Sequence, residues 1–133
     1  MIFSINTTDL SAQVNNKKSY KMNSTRQFSS VTDSNGIEYR NYYRERVSGS
    51  FEMWFIDPIT PPNGNESTSA VDYSTFLTLV QNNTTNGVLL CTVYVQNKGV
   101  TQTINCFCDI TMKKEADVNG FKVRIINLKI LEC

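Results

Sequence analysis

Apolar residues recur at every second position through much of this chain and at helical spacing in one stretch only. Val47, Gly49, Phe51, Met53 and Phe55 share one face by period-two alternation, with Ser48, Ser50, Glu52 and Trp54 on the other, which predicts a strand ending at Asp57-Pro58. Val88 to Gln96 is β-branched and aromatic, apolar on both faces, and reads as a central strand. After Asn97-Lys98-Gly99, the residues Val100, Ile104, Cys106, Cys108, Ile110 and Met112 line one face, opposite Thr101, Thr103, Asn105, Asp109 and Thr111. A polar turn from Lys113 to Gly120 then leads into a third strand, Phe121 to Leu131, completing an antiparallel meander.

The exception to this period lies at residues 72–82. Tyr73, Phe76, Leu77 and Val80 fall at i, i+3, i+4 and i+7 behind Asp72, a suitable N-cap. One short helix is expected there, dying in Asn82-Asn83-Thr84-Thr85-Asn86-Gly87 and laid against the sheet. Thr60-Pro61-Pro62-Asn63-Gly64-Asn65 reads as a loop. The N-terminal part is less patterned. Met1 to Ile5 alternates, Leu10 to Val14 reads as a brief edge strand, and NNKKSYKMNSTRQFSS has little to bury. Asp33-Ser34-Asn35-Gly36 signals a tight turn with positive φ at both central residues. The segment from Lys17 to Arg46 is therefore expected to project as a polar extended arm or loop. The fold class is mainly β: an antiparallel sandwich or barrel with one helix, in a single domain over residues 1–133.

Composition narrows what such a domain does. Asn, Ser and Thr make up about 30% of the chain, supplying turns and solvated strand faces. A formal charge of +1 argues against a strong grip on nucleic acid or anionic membrane. The chain has no histidine, so triads and dyads built on imidazole are excluded. Asp57, Asp109, Glu115 and Asp117 lack partners at a spacing that fixes catalytic geometry, and the six glycines form no phosphate-cradling loop. No catalytic residue, cofactor site or membrane span is expected.

Cys91, Cys106, Cys108 and Cys133 leave two readings open. Cys106 and Cys108 point the same way in a strand, beside Ile104 and Ile110, which suits buried thiols acting as small apolar groups. Metal thiolate sites draw two cysteines from a C-x₂₋₄-C turn, and a four-cysteine site with Cys91 across the hairpin is the second reading. Nothing near Met1 resembles a secretory signal, so the thiols are expected free in a reducing compartment. Sequons begin at Asn6, Asn23, Asn65, Asn82 and Asn83, and are expected as an accident of composition.

The candidate interface is Tyr39, Arg40, Tyr42, Tyr43, Arg44 and Arg46. Aromatics interleaved with guanidinium groups stack on bases or anchor protein contacts; balanced charge favours the protein contact, and a solvated strand with cross-strand packing is the plain alternative.

The layout also carries a resemblance. A turn and basic-aromatic arm (DSNGIEYRNYYRER), a long strand (VSGSFEMWFI), one short helix (DYSTFLTLVQ) and a meander closing in INLKILE follow one another. In this order the chain resembles the small tail proteins of long-tailed bacteriophages, notably those of Gram-positive hosts, with a tail-tube-like fold. The resemblance implies a non-enzymatic virion structural protein, made in the bacterial host cytoplasm. It implies assembly in rings with copies of itself or docking onto other tail proteins, with an arm reaching a neighbouring subunit. No catalytic residues, cofactors, specific nucleic acid or membrane partner come with it, and the cysteine-rich core departs from it. An alternative from another class is a β-sandwich binding module for carbohydrate or a protein ligand, using Trp54, Tyr42 and Tyr43 as exposed platforms.

Overall fold

The computed structural model describes residues 2–14, 19–57 and 71–133. They form a mainly β fold with one short helix. The elements are β1 (Phe3–Ile5), β2 (Thr8–Asp9), β3 (Lys21–Thr32), β4 (Glu38–Asp57), α1 (Tyr73–Asn83), β5 (Thr84–Thr85), β6 (Val88–Val95), β7 (Val100–Val118) and β8 (Phe121–Glu132). All strands belong to one antiparallel sheet in the order β2-β1-β6-β7-β8-β4-β3, with β5 on β6.

The sheet curls without closing. β3 stands at the far end of the order from β1, yet Gln96 N donates to Met22 O at 2.8 Å and Tyr20 Oη donates to Tyr94 O at 2.6 Å. The right-handed twist of adjacent strands accumulates into such a roll. Its concave face holds Phe3, Ile5, Met22, Phe51, Met53, Phe55, Leu89, Val93, Ile104, Ile126 and Leu128, all buried. Phe51 sits at its centre, edge-on to Phe3 and stacked with Tyr20, both at 5.1 Å between ring centroids.

The helix packs against β1, β4 and β6. Asp72 caps it, accepting from Thr75 N at 2.6 Å, and Phe76 packs 5.0 Å from Phe55. The apolar stripe is rotated from the expected one. Phe76 is buried and Tyr73, Leu79 and Val80 pack on the core, whereas Leu77 is 39% exposed. Against a curved sheet, positions 73, 76, 79 and 80 cover the surface, and the i+4 position falls outside it.

Four other expectations are corrected. Leu10–Val14 is not a strand: Ser11–Gln13 forms a single 3₁₀ turn, because the buried Gln13 side chain must reach Trp54 O (2.7 Å) and Val71 N (3.2 Å). β6 is buried on one face only, with Leu89, Cys91, Val93 and Val95 inside and Leu90 49% exposed. The stretch from Lys113 does not turn at once. β7 runs on to Val118 through a bulge between Met112 and Lys114, held by β8, and the chain reverses at Asn119-Gly120. Polar residues stay extended there because the ladder to β8 satisfies their backbone groups. The polar N-terminal stretch also buries two anchors, Tyr20 and Met22. The Pro- and Asn-rich loop expected at 60–65 lies outside the described residues, as do Lys17 and Lys18.

Candidate interaction arm

β4 has two halves with different neighbours. Residues 48–57 pair with β8, whereas 38–47 have β3 as their partner strand among the described residues. β3 and the first half of β4 thus form a two-stranded hairpin that leaves the roll near Gly49. Gly49 permits the departure. Its φ is +155°, and a Cβ there would lie 1.7 Å from Lys21 O, so only glycine lets the β3 backbone close on β4 at this corner.

The hairpin tip differs from the expected turn. Only Gly36 has positive φ (+79°), and Gly36 N donates to Asp33 O at 3.1 Å, giving a type I turn followed by a left-handed glycine. The Asp33 carboxylate accepts from Asn35 N (2.9 Å) and Ile37 N (3.0 Å), and the bond from Ile37 holds it below the ordinary carboxylate range.

Register sorts the side chains. One face carries Arg26 opposite Glu45, Phe28 opposite Tyr42 and Ser30 opposite Arg40. The Arg26 guanidinium lies 4.3 Å from the Tyr42 ring centre and that of Arg40 lies 4.4 Å from Phe28, while the two rings are 5.4 Å apart. The result is a continuous stack, Arg26–Tyr42–Phe28–Arg40, closed by an ion pair from Arg40 to Glu38 at 3.0 Å. The other face carries Tyr39 opposite Val31, Arg44 opposite Gln27 and Arg46 opposite Thr25. Tyr43 occupies the extra position of a bulge between these registers and is 63% exposed.

The root of the arm is fastened to the roll. Ser24 and Asn97 exchange two hydrogen bonds across to the β6–β7 turn, and Lys98 pairs with Glu45, holding that carboxyl below its ordinary range. Arg44 donates to Cys133 O. Of the six candidate residues, Arg40 and Tyr42 therefore share one face while Tyr39, Arg44 and Arg46 share the other, with Tyr43 at the bulge. Arg26 and Phe28 join them unforeseen. The alternation Tyr20, Met22, Arg26, Phe28 is the signal that finds them once Tyr20 is known to be buried.

Trp54, Tyr42 and Tyr43 are all exposed, on two separate parts of β4. Trp54 stands in the sheet half of β4, opposite Ile125, twelve positions from Tyr42, which is about 40 Å along a strand. The four cysteines do not gather. Cys91 and Cys106 meet in the core with sulfurs 3.2 Å apart, Cys108 follows two residues on, and Cys133 N bonds to Asn105 O. The Cys106 contact and burial hold the Cys91 thiol well above its ordinary range, and burial pushes Cys108 up to about 12. Among the described residues, no group of three His, Cys, Asp or Glu side chains is placed to hold a metal ion, and no helix is long and apolar enough to cross a membrane. Searches against protein-family models, curated proteins and solved structures found no match for the chain.

Proposed function

We propose that this chain is a non-enzymatic structural protein of a phage tail, assembling in rings with its own copies or docking onto other tail proteins through the arm. The observation that carries the assembly reading is the projecting hairpin itself. It has an exposed Arg–aromatic stack on one face, free strand edges on both sides among the described residues, and a root fastened to the roll. Tyr and Arg are the residues that most often dominate protein interfaces. Unpaired strand edges are usually guarded or covered, and a neighbouring copy covers them under ring symmetry. Between residues 25 and 46, four arginines face three acids, which leaves little net charge to repel a like surface or to attract phosphate. The tail assignment is an inference from the layout resemblance; assembly stands on the arm.

Size-exclusion chromatography with light scattering over a wide concentration range tests it. The intact chain is expected to pass into a species of fixed higher mass, and a Tyr42→Ala/Tyr43→Ala variant to stay monomeric with an unchanged far-UV spectrum. A chain that remains monomeric at every concentration with its arm intact overturns self-assembly.

A further inference from the structure

Cys91 and Cys106 stand apart from the arm and from any assembly it makes. They lie on adjacent strands, with Leu89 opposite Cys106 and Cys91 opposite Ile104, so they are diagonal neighbours on the concave face. Their sulfurs are 3.2 Å apart, and both residues are buried. A disulfide holds its sulfurs about 2.05 Å apart, so each sulfur has only about 0.6 Å to travel. The other pairings are poor. Cys106 and Cys108 are two positions apart on one strand, about 6.6 Å along an extended backbone, and a bond between them would break the ladder to β8. Cys133 lies beyond the end of β8, beside Asn105.

We propose that Cys91 and Cys106 are a latent dithiol that closes to an interstrand disulfide when the chain meets a low-molecular-weight disulfide, locking β6 to β7 four to six residue pairs from the turn that joins them. The exchange needs no other reactant than a species such as oxidised glutathione. One cysteine thiolate attacks a glutathione sulfur, forms a mixed disulfide and releases one glutathione thiolate. The second cysteine, deprotonated, attacks the protein sulfur of that mixed disulfide and releases the other. Two protein thiols lose two electrons and two protons, and one glutathione disulfide becomes two glutathione thiols. Burial sets the timing. The folded chain excludes the reagent, so closure is slow there. It is fast during folding, when the short β6–β7 hairpin brings the pair together before the core seals.

The test refolds the full reduced chain from denaturant in a glutathione redox buffer and alkylates the remaining thiols. The expected product has two alkylated cysteines, and trypsin, cutting after Lys98, leaves the Cys91 and Cys106 peptides joined until reduced. A Cys108→Ala/Cys133→Ala variant, which keeps the pair, must still form the link. Cys91→Ala and Cys106→Ala variants must each lose it. The linked chain is expected to melt about 5 °C or more above the reduced one, from a closed loop of about 15 residues. Four alkylated thiols in a refolded chain with native far-UV signal, or a link made through Cys108 or Cys133, overturns the proposal. A linked chain that melts no higher than the reduced one overturns the locking role. Neither result bears on assembly through the arm.

Discussion

Asn97 holds Ser24 by both of its main-chain polar groups: Ser24 N donates to Asn97 Oδ1 at 2.9 Å, and Asn97 Nδ2 donates to Ser24 O at 2.6 Å. The amide side chain stands in for a strand partner where β3 leaves the sheet. Asn97→Ala is expected to cost about 1–2 kcal/mol and to speed amide exchange at Ser24 and Thr25 before the rest of β3. Urea unfolding and residue-resolved exchange check it. Unchanged exchange at Ser24 would mean that the clamp does not fasten the arm.

Tyr20 fastens the same side of the roll four residues before Ser24. Its hydroxyl donates to Tyr94 O at 2.6 Å while its ring stacks on Phe51, and burial pushes its ionisation well above the ordinary tyrosine range. Tyr20→Phe keeps the stack and leaves the Tyr94 carbonyl without that donor, for an expected loss of about 1–1.5 kcal/mol. Thermal melts of the two proteins at neutral pH measure it.

Two glycines separate backbone strain from collision. Gly49→Ala places a methyl against the Lys21 carbonyl, which is main chain and cannot rotate away, and an expected loss of about 3 kcal/mol follows. Gly87→Ala meets nothing within 4 Å and bears only its positive φ of 79°, worth about 1 kcal/mol. Chemical denaturation of both variants reads the ratio, and equal losses would remove the steric account of the corner at Gly49.

The Arg–aromatic stack is exposed, so it stiffens the arm more than it stabilises the fold. Phe28→Ala is expected to change global stability by less than about 1 kcal/mol. A double-mutant cycle of Phe28→Ala with Arg40→Ala should return a coupling of about 0.5–1 kcal/mol. Zero coupling would leave the rings and guanidiniums as independent solvated groups.

Acid should loosen the arm before the roll. Glu45, through Lys98, and Asp33, through the bond from Ile37 N, both have carboxyls held below their ordinary values of 4.5 and 3.8. A depressed folded value means that the contribution is complete above the ordinary range and is lost as pH falls through the depressed value. Amide chemical shifts of Ser24 and Ile37, followed by NMR from pH 7 to pH 2, should therefore move together at the acid end while those of Ile126 and Leu128 stay fixed.

Alternation determined the sheet half of β4 and the inward face of β7 from Ile104 to Ile110. In each, a period of two leaves only one face able to leave water, and Phe51, Met53, Phe55 and Ile104 had no alternative. The helix was legible from its 3.6-residue spacing and its cap at Asp72, but not the rotation of its apolar stripe. The aromatic-basic run of the arm was legible as a surface element, because nothing in it could form a core.

What tertiary structure decided is where each pattern meets a neighbour. Polar residues 113–118 stay in a strand because β8 is there to pair them, and Leu77 faces water because the sheet curves away beneath it. Arg26 and Phe28 become the other half of the stack only through their register with β4 residues about 12 to 16 positions further along the chain. Cys91 and Cys106 touch because two strands lie diagonally in phase. Periodicity records which side of an element avoids water. It holds no record of which partner strand satisfies the backbone on its edge, and in this protein the arm, its clamp and the paired thiols all depend on that choice.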